Sequence, residues 1–148
     1  MKLSRRTSTT ATALAALILA GTAVATAPAS AATTPGAYNG ACGPGFSVVN
    51  WTEVQSSPTN VIGTVYVTLN YSTGDNCAVL VRTKPGTRMY MQVTLDTWPA
   101  SSKPVEDHGS FKEYAGPIYL DAATVFQQCL TWSGSIDIYY NSGSGLCA

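Results

Sequence analysis

The stretch TVYVTLNY, Thr64 to Tyr71, decides the fold class. In an extended chain Val65, Val67, Leu69 and Tyr71 share one face, and Thr64, Tyr66, Thr68 and Asn70 share the other. A second stretch, RMYMQVTLD from Arg88 to Asp96, alternates in the same way. It sets Met89, Met91, Val93 and Leu95 against Arg88, Tyr90, Gln92, Thr94 and Asp96. Period-two alternation marks strands of a sheet with one dry and one wet face. Between the two, CAVLVRT (Cys77 to Thr83) is more uniformly apolar and suits an interior strand. FSVVNW, FKEY, PIYLD and SIDIYY are shorter extended candidates, beginning at Phe46, Phe111, Pro117 and Ser135. Turn signals separate them at Gly74-Asp75-Asn76, Lys84-Pro85-Gly86-Thr87 and Gly116-Pro117, and Pro85-Gly86 fits a type II turn. Short strands at this spacing predict an all-β fold, a small antiparallel β-sandwich or barrel. LDAATVFQQCL is the one stretch with helical character, with Asp121 placed to cap Ala122 to Gln128. The closing NSGSGLCA reads as a flexible tail held at Cys147.

The start of the chain belongs to a different class. MKLSRRTSTT carries Lys2, Arg5 and Arg6 and no acid, and it runs into ATALAALILAGTAVA. Small residues follow, with Ala29-Ser30-Ala31 fitting a small-x-small cleavage rule. That order predicts a secretory signal peptide over residues 1–31 and a single exported domain over 32–148. No later segment is apolar for long enough to span a membrane as a helix. Removing Lys2, Arg5 and Arg6 leaves five cations against eight acids, a formal charge of −3. Such a chain has no basic cluster for nucleic acid or anionic lipid, so neither is expected as a partner.

Cys42, Cys77, Cys129 and Cys147 form an even set in a chain read as exported, which predicts two disulfides. With no CxxC and a single histidine, zinc is not expected, and no cofactor is called for. Three pairings are open. Pairing of neighbours, Cys42 with Cys77 and Cys129 with Cys147, closes the more local loops. By chain entropy these loops would contribute about 4 and about 3 kcal/mol.

The single histidine, His108, lies in VEDHGSF beside Glu106 and Asp107. A hydrolytic triad needs a nucleophile held by a base and the base held by an acid. In extended chain Asp107 points away from His108, Gly109 suggests a loose turn, and no G-x-S-x-G elbow occurs. His108 therefore reads as a solvated loop residue, and no catalytic residue is assigned. Asp75-Asn76 and Glu106-Asp107 lack the dense ligand spacing of a calcium loop, so no metal site is assigned either. The aromatics stand above this background. Tyr66, Tyr90 and Tyr119 fall at wet-face positions, and Trp51, Trp98 and Trp132 at strand ends or loops. Exposed flat rings offer apolar area at little entropy cost, so Tyr66, Tyr90, Tyr119 and Trp98 form the candidate binding face. The competing reading is cross-strand packing.

ACGPGFSVVN, GTVYVTLNYSTGDNCAVLVRTKPGT, EDHGSFKEYAGPIYLDA and CLTWSGSI together resemble the spore-associated protein A type of small secreted actinomycete proteins. The resemblance runs from Ala41 to Cys147. Its most specific pieces are Cys42-Gly43-x-Gly45, Gly74-Asp75-Asn76-Cys77, Tyr114-Ala115-Gly116-Pro117 and Cys129-x-x-Trp132-x-Gly134. It implies a secreted protein found with spores or aerial cell surfaces, implies no known catalytic activity, and lends His108 no catalytic role. The partner it implies is a spore or cell-surface component, a polysaccharide or another protein. A carbohydrate-binding or cell-wall-binding module is the alternative, and a small secreted hydrolase or hydrolase inhibitor stands behind it.

Overall fold

The computed structural model describes residues 37–100, 104–125 and 127–147, so the leader expected over 1–31 lies outside the described residues. Two hairpin-linked strands come first, β1 (Phe46–Ser57) and β2 (Asn60–Asn70). They are followed by β3 (Asn76–Arg82), β4 (Met89–Trp98), β5 (Val105–Phe111) and β6 (Tyr114–Leu120). A single helical turn, α1 (Ala122–Val125), precedes β7 (Cys129–Ile136) and β8 (Tyr139–Gly145). The strands form two antiparallel four-stranded sheets in the orders β1-β2-β3-β6 and β5-β4-β7-β8. The fold is a sandwich, and among the described residues no ladder closes it into a barrel.

The core between the sheets follows from the alternation. Val65, Val67, Ala78, Leu80, Ile118 and Leu120 face Met91, Val93, Leu95, Leu130, Trp132 and Ile136, all buried. Trp132 was expected at a strand end, yet it lies mid-strand in β7 and points into the core. Its indole Nε1 donates to Thr52 Oγ1 at 2.8 Å, tying β7 to β1 across the sandwich. Gly143 makes room for that ring, since a methyl there would stand 2.6 Å from the indole and from Thr52 Oγ1. Asn141 Nδ2 donates to Glu53 O at 2.8 Å, so β8 is seated beside β1. The C-terminal segment is thus a strand and not a loose tail: its backbone is satisfied by β7, from Ile136↔Tyr139 to Leu130↔Gly145.

Strand β2 departs from its wet-face reading. Thr64, Tyr66 and Thr68 are buried, Tyr66 to 2 % exposure. The reason is a second, smaller core on the outer side of this sheet, where Tyr38, Ala41 and Phe46 pack on Cys42, Tyr66, Cys77 and Val79. Cys42 is bonded to Cys77, stapling the segment before β1 across β2 and β3. Tyr38 packs against Tyr66 with the rings tilted 55° and centroids 5.6 Å apart, and the Tyr38 hydroxyl accepts the Cys42 N–H at 3.0 Å. Burial pushes the Tyr38 and Tyr66 phenols above their ordinary range.

Several turns also differ. Gly86 does not take the positive φ of a type II turn. The β3–β4 connection is held instead by Arg82, whose Nη1 donates to Thr87 O at 2.7 Å and Lys112 O at 2.9 Å. Gly116-Pro117 falls inside β6, where the register shifts opposite Val79 and Gly116 has φ +94. Proline suits such a bulge on an edge strand because no ladder N–H is lost. FKEY and SIDIYY contain the β5–β6 and β7–β8 turns, the second with Asp137 at φ +57. The helical stretch is cut to one turn. Asp121 caps it, accepting the Thr124 N–H at 2.7 Å and the Thr124 hydroxyl at 2.8 Å, and these bonds hold its carboxyl below the usual range. Among the described residues no helix is long and apolar enough to cross a membrane.

Candidate binding face

Strand β4 does have the two faces that its sequence implies. Its odd-numbered residues enter the core, and Tyr90, Gln92, Thr94 and Asp96 point outward. The ladders to either side set matching residues beside them. Gln92 lies opposite His108 and Ser135, Thr94 opposite Glu106 and Ser133, Asp96 opposite Thr131, and Trp98 opposite Cys129. On β8, Tyr140 pairs with Ser135, Ser142 with Ser133, and Ser144 with Thr131. Across β7 and β8 the outer face of this sheet is therefore largely a grid of short hydroxyl side chains, bordered by the longer side chains of β4 and β5. Its spacings are about 4.8 Å between strands and about 6.7 Å along them.

The grid is dished. Thr94, Asp96, Thr131, Ser133, Tyr140, Ser142 and Ser144 line a trough of about 440 Å³. A second depression of about 380 Å³, lined by Trp98, Cys129, Gly145 and Cys147, shares Thr131 and Ser144 with it. Two rings mark the ends of the combined path, Tyr140 at 65 % exposure and Trp98 at 67 %. Six residues of β7 separate their rows, so the path is about 20 Å long. Cys129 is bonded to Cys147, which fixes Cys147 at the Trp98 end. Asp96 Oδ1 accepts the Thr97 N–H at 2.8 Å, which anchors the carboxylate on its strand.

The structure divides the residues expected to form one face. Tyr90 and Trp98 share the outer side of β4, with Tyr90 at 47 % exposure just beyond the Tyr140 end. Tyr66 is excluded by burial. Tyr119 lies on β6 of the other sheet, where it meets Phe46 edge-on at 5.7 Å and its hydroxyl donates to Cys42 O at 3.3 Å. Tyr140 and the serines of β8 were missed. The signal was present as Tyr140-x-Ser142-x-Ser144, but glycine and serine content masked the alternation.

His108 lies on β5 and not in a loop. Its Nδ1 is 3.6 Å from Glu106 Oε1, and Gln92 Nε2 donates to Glu106 Oε2 at 3.0 Å. All three are at the solvent side of the sheet. Asp107 points the other way, as extended chain requires, and accepts the Gly116 N–H of the β6 bulge at 2.7 Å. It orients backbone and not the imidazole. Among the described residues no three of His, Cys, Asp and Glu gather where a metal ion would need them.

No family model matches the chain, and no solved structure is detectably similar to it. One curated protein is 42% identical over 114 residues, which span 75% of this chain and 68% of the relative. It is spore-associated protein A of Streptomyces coelicolor. At that identity and coverage, the chain belongs to the spore-associated protein A family.

Proposed function

We propose that this protein is an exported, non-enzymatic component of the spore or cell surface, attached through the outer face of the β5-β4-β7-β8 sheet. The observation that carries the proposal is the polar trough with an exposed ring at each end, Tyr140 and Trp98. The relative's name supports the location. Export is supported by the charged-then-apolar order of residues 1–31, and by two disulfides of a kind that persists in oxidising compartments.

A binding role is favoured over catalysis by how the acids are engaged. Glycoside hydrolysis needs two carboxylates facing one cleft. Asp96 stands in the trough, whereas Glu106 is drawn toward Gln92 and His108, on the side away from Asp96. Asp107, next to His108, is engaged with the Gly116 N–H.

The test is retention of the purified protein on Streptomyces coelicolor spores, alongside turnover assays on glycan and peptide panels. Wild type is expected to be retained, a Trp98→Ser/Tyr140→Ser variant to wash off, and no substrate to be consumed. Equal retention of the two folded proteins rules out this face. Turnover of any panel substrate rules out the non-enzymatic role.

A further inference from the structure

We infer that the end of the sandwich beside the β3–β4 connection takes up the anion of a free medium-chain fatty acid. The alkyl chain lies between the two sheets, and the carboxylate sits at Arg82 and Lys84. This site is separate from the outer face described above and does not depend on it.

The pocket forms where the sheets part. Ile62 of β2 comes from one sheet and Met89, Ile136 and Tyr139 from the other, and together they wall a cavity of about 270 Å³. Ile136 is buried, and Ile62, Met89 and Tyr139 are half-buried side chains packed on the edge of the main core. An apolar guest here takes its own surface out of water together with theirs. At about 30 Å³ for each water-sized group, the space admits about nine heavy atoms. One alkyl chain of about eight carbons fills it, and the paired acyl chains of a phospholipid do not fit.

Two cations, Arg82 and Lys84, line the same cavity. Among the described residues neither is paired with an acid, and the residues outside that set include no Asp or Glu. Glu113 and Asp137 meet this end of the fold through backbone, Glu113 O accepting the Arg82 N–H at 2.8 Å and the Asp137 N–H donating to Tyr90 O at 2.8 Å. Arg82 is the firmer clue. Its Nη1 is committed to Thr87 O and Lys112 O, which holds the guanidinium in place before any ligand arrives. Its Nη2 donates to the Met89 sulfur at 3.2 Å. A thioether is a weak acceptor, whereas a carboxylate accepts from guanidinium in strong, charge-assisted bonds. Met89 is unbranched, so its side chain is free to swing from Nη2 onto the alkyl chain of the guest. The cations select an anion, and the apolar walls select a single alkyl chain behind it. A phosphate polymer has nothing to place between the sheets, and an alcohol lacks the charge.

NMR of the purified protein with isotope-labelled methionine methyls, titrated with butanoate, hexanoate, octanoate and hexadecanoate, tests this. The Met89 methyl is expected to shift and saturate with octanoate. Affinity should rise about fourfold for each added methylene up to octanoate, the worth of one buried CH₂, and then level off. Octanol should bind roughly tenfold more weakly than octanoate. Lys84→Gln should weaken octanoate about threefold, since its charge is exposed, and leave octanol unchanged. Ile62→Trp, which fills the cavity, should abolish binding. Tyr71→Ser, an exposed ring past the other end of β2, should leave it intact, and melting curves check that each variant is folded. The inference is overturned by a Met89 signal that does not move, or by equal affinities for octanoate and octanol, which would leave the cations no part. Affinity that climbs on to hexadecanoate overturns it too, because the guest would then lie on a surface and not in a bounded pocket. So does undiminished binding in a folded Ile62→Trp. Should that variant not fold, the Met89 shift and the levelling with chain length decide alone. These readings involve neither Trp98 nor Tyr140, so spore retention through the outer face is judged separately.

Discussion

Asp107 and His108 are neighbours with opposite duties. The Asp107 carboxylate meets the Gly116 N–H at a bulge that β3 leaves without a partner, at 2.7 Å and partly out of solvent. Asp107→Ala removes that acceptor and should lower stability by about 1–3 kcal/mol in urea unfolding. His108→Ala removes an exposed ring whose closest charged neighbour is the exposed Glu106, and the change should stay within about 0.5 kcal/mol. Equal losses for the two variants would show that Asp107 does not support the bulge. The sequence placed these two side chains on opposite sides of an extended chain, and the structure agrees. It could not show what Asp107 reaches, because Gly116 arrives from the other sheet.

Among the strands, legibility depended on what covered each face. Alternation in β4 reports its surroundings faithfully, because Tyr90 is exposed and Gln92, Thr94 and Asp96 are only partly buried while the residues between them enter the core. The same alternation in β2 misreports Tyr66, because a segment more than twenty residues earlier folds over it. Period two tells which side a residue is on, and not whether that side is wet. Strand β8 failed for the converse reason. Its glycines look like slack, yet Gly143 is where the strand must pass the Trp132 indole. Gly143→Val should press on that ring and on Thr52 and cost about 1–3 kcal/mol. It should also lower spore retention, since Ser142 and Ser144 move with the strand. A variant with wild-type melting and retention would show that β8 does not depend on this close approach.

The sandwich as a whole has two unlike outer surfaces. One is closed by its own chain, with Cys42–Cys77 as the staple, and the other is open. Closure can be read from the tyrosines. Tyr38 and Tyr66 ionise above the ordinary phenol value of 10.0 because burial disfavours phenolate. Below about pH 10 both phenols are neutral in folded and unfolded chains, so their contribution to stability is fully present. It is lost as pH rises through the folded values, because the unfolded chain has by then released its protons. A late component at 295 nm is therefore expected in alkaline titration of the native protein. It should shift to lower pH in Cys42→Ala/Cys77→Ala, where the covering segment is released, and an unchanged titration would show that the staple is not what keeps Tyr66 covered. The second disulfide has a practical corollary. Cys147 is tied to Cys129 at the Trp98 end of the open surface. A purification tag joined directly to Cys147 would start beside the trough and compete with whatever settles there. A tag placed ahead of Ala37, which lies beside Tyr66 and Val81 on the closed side, would leave the open surface bare.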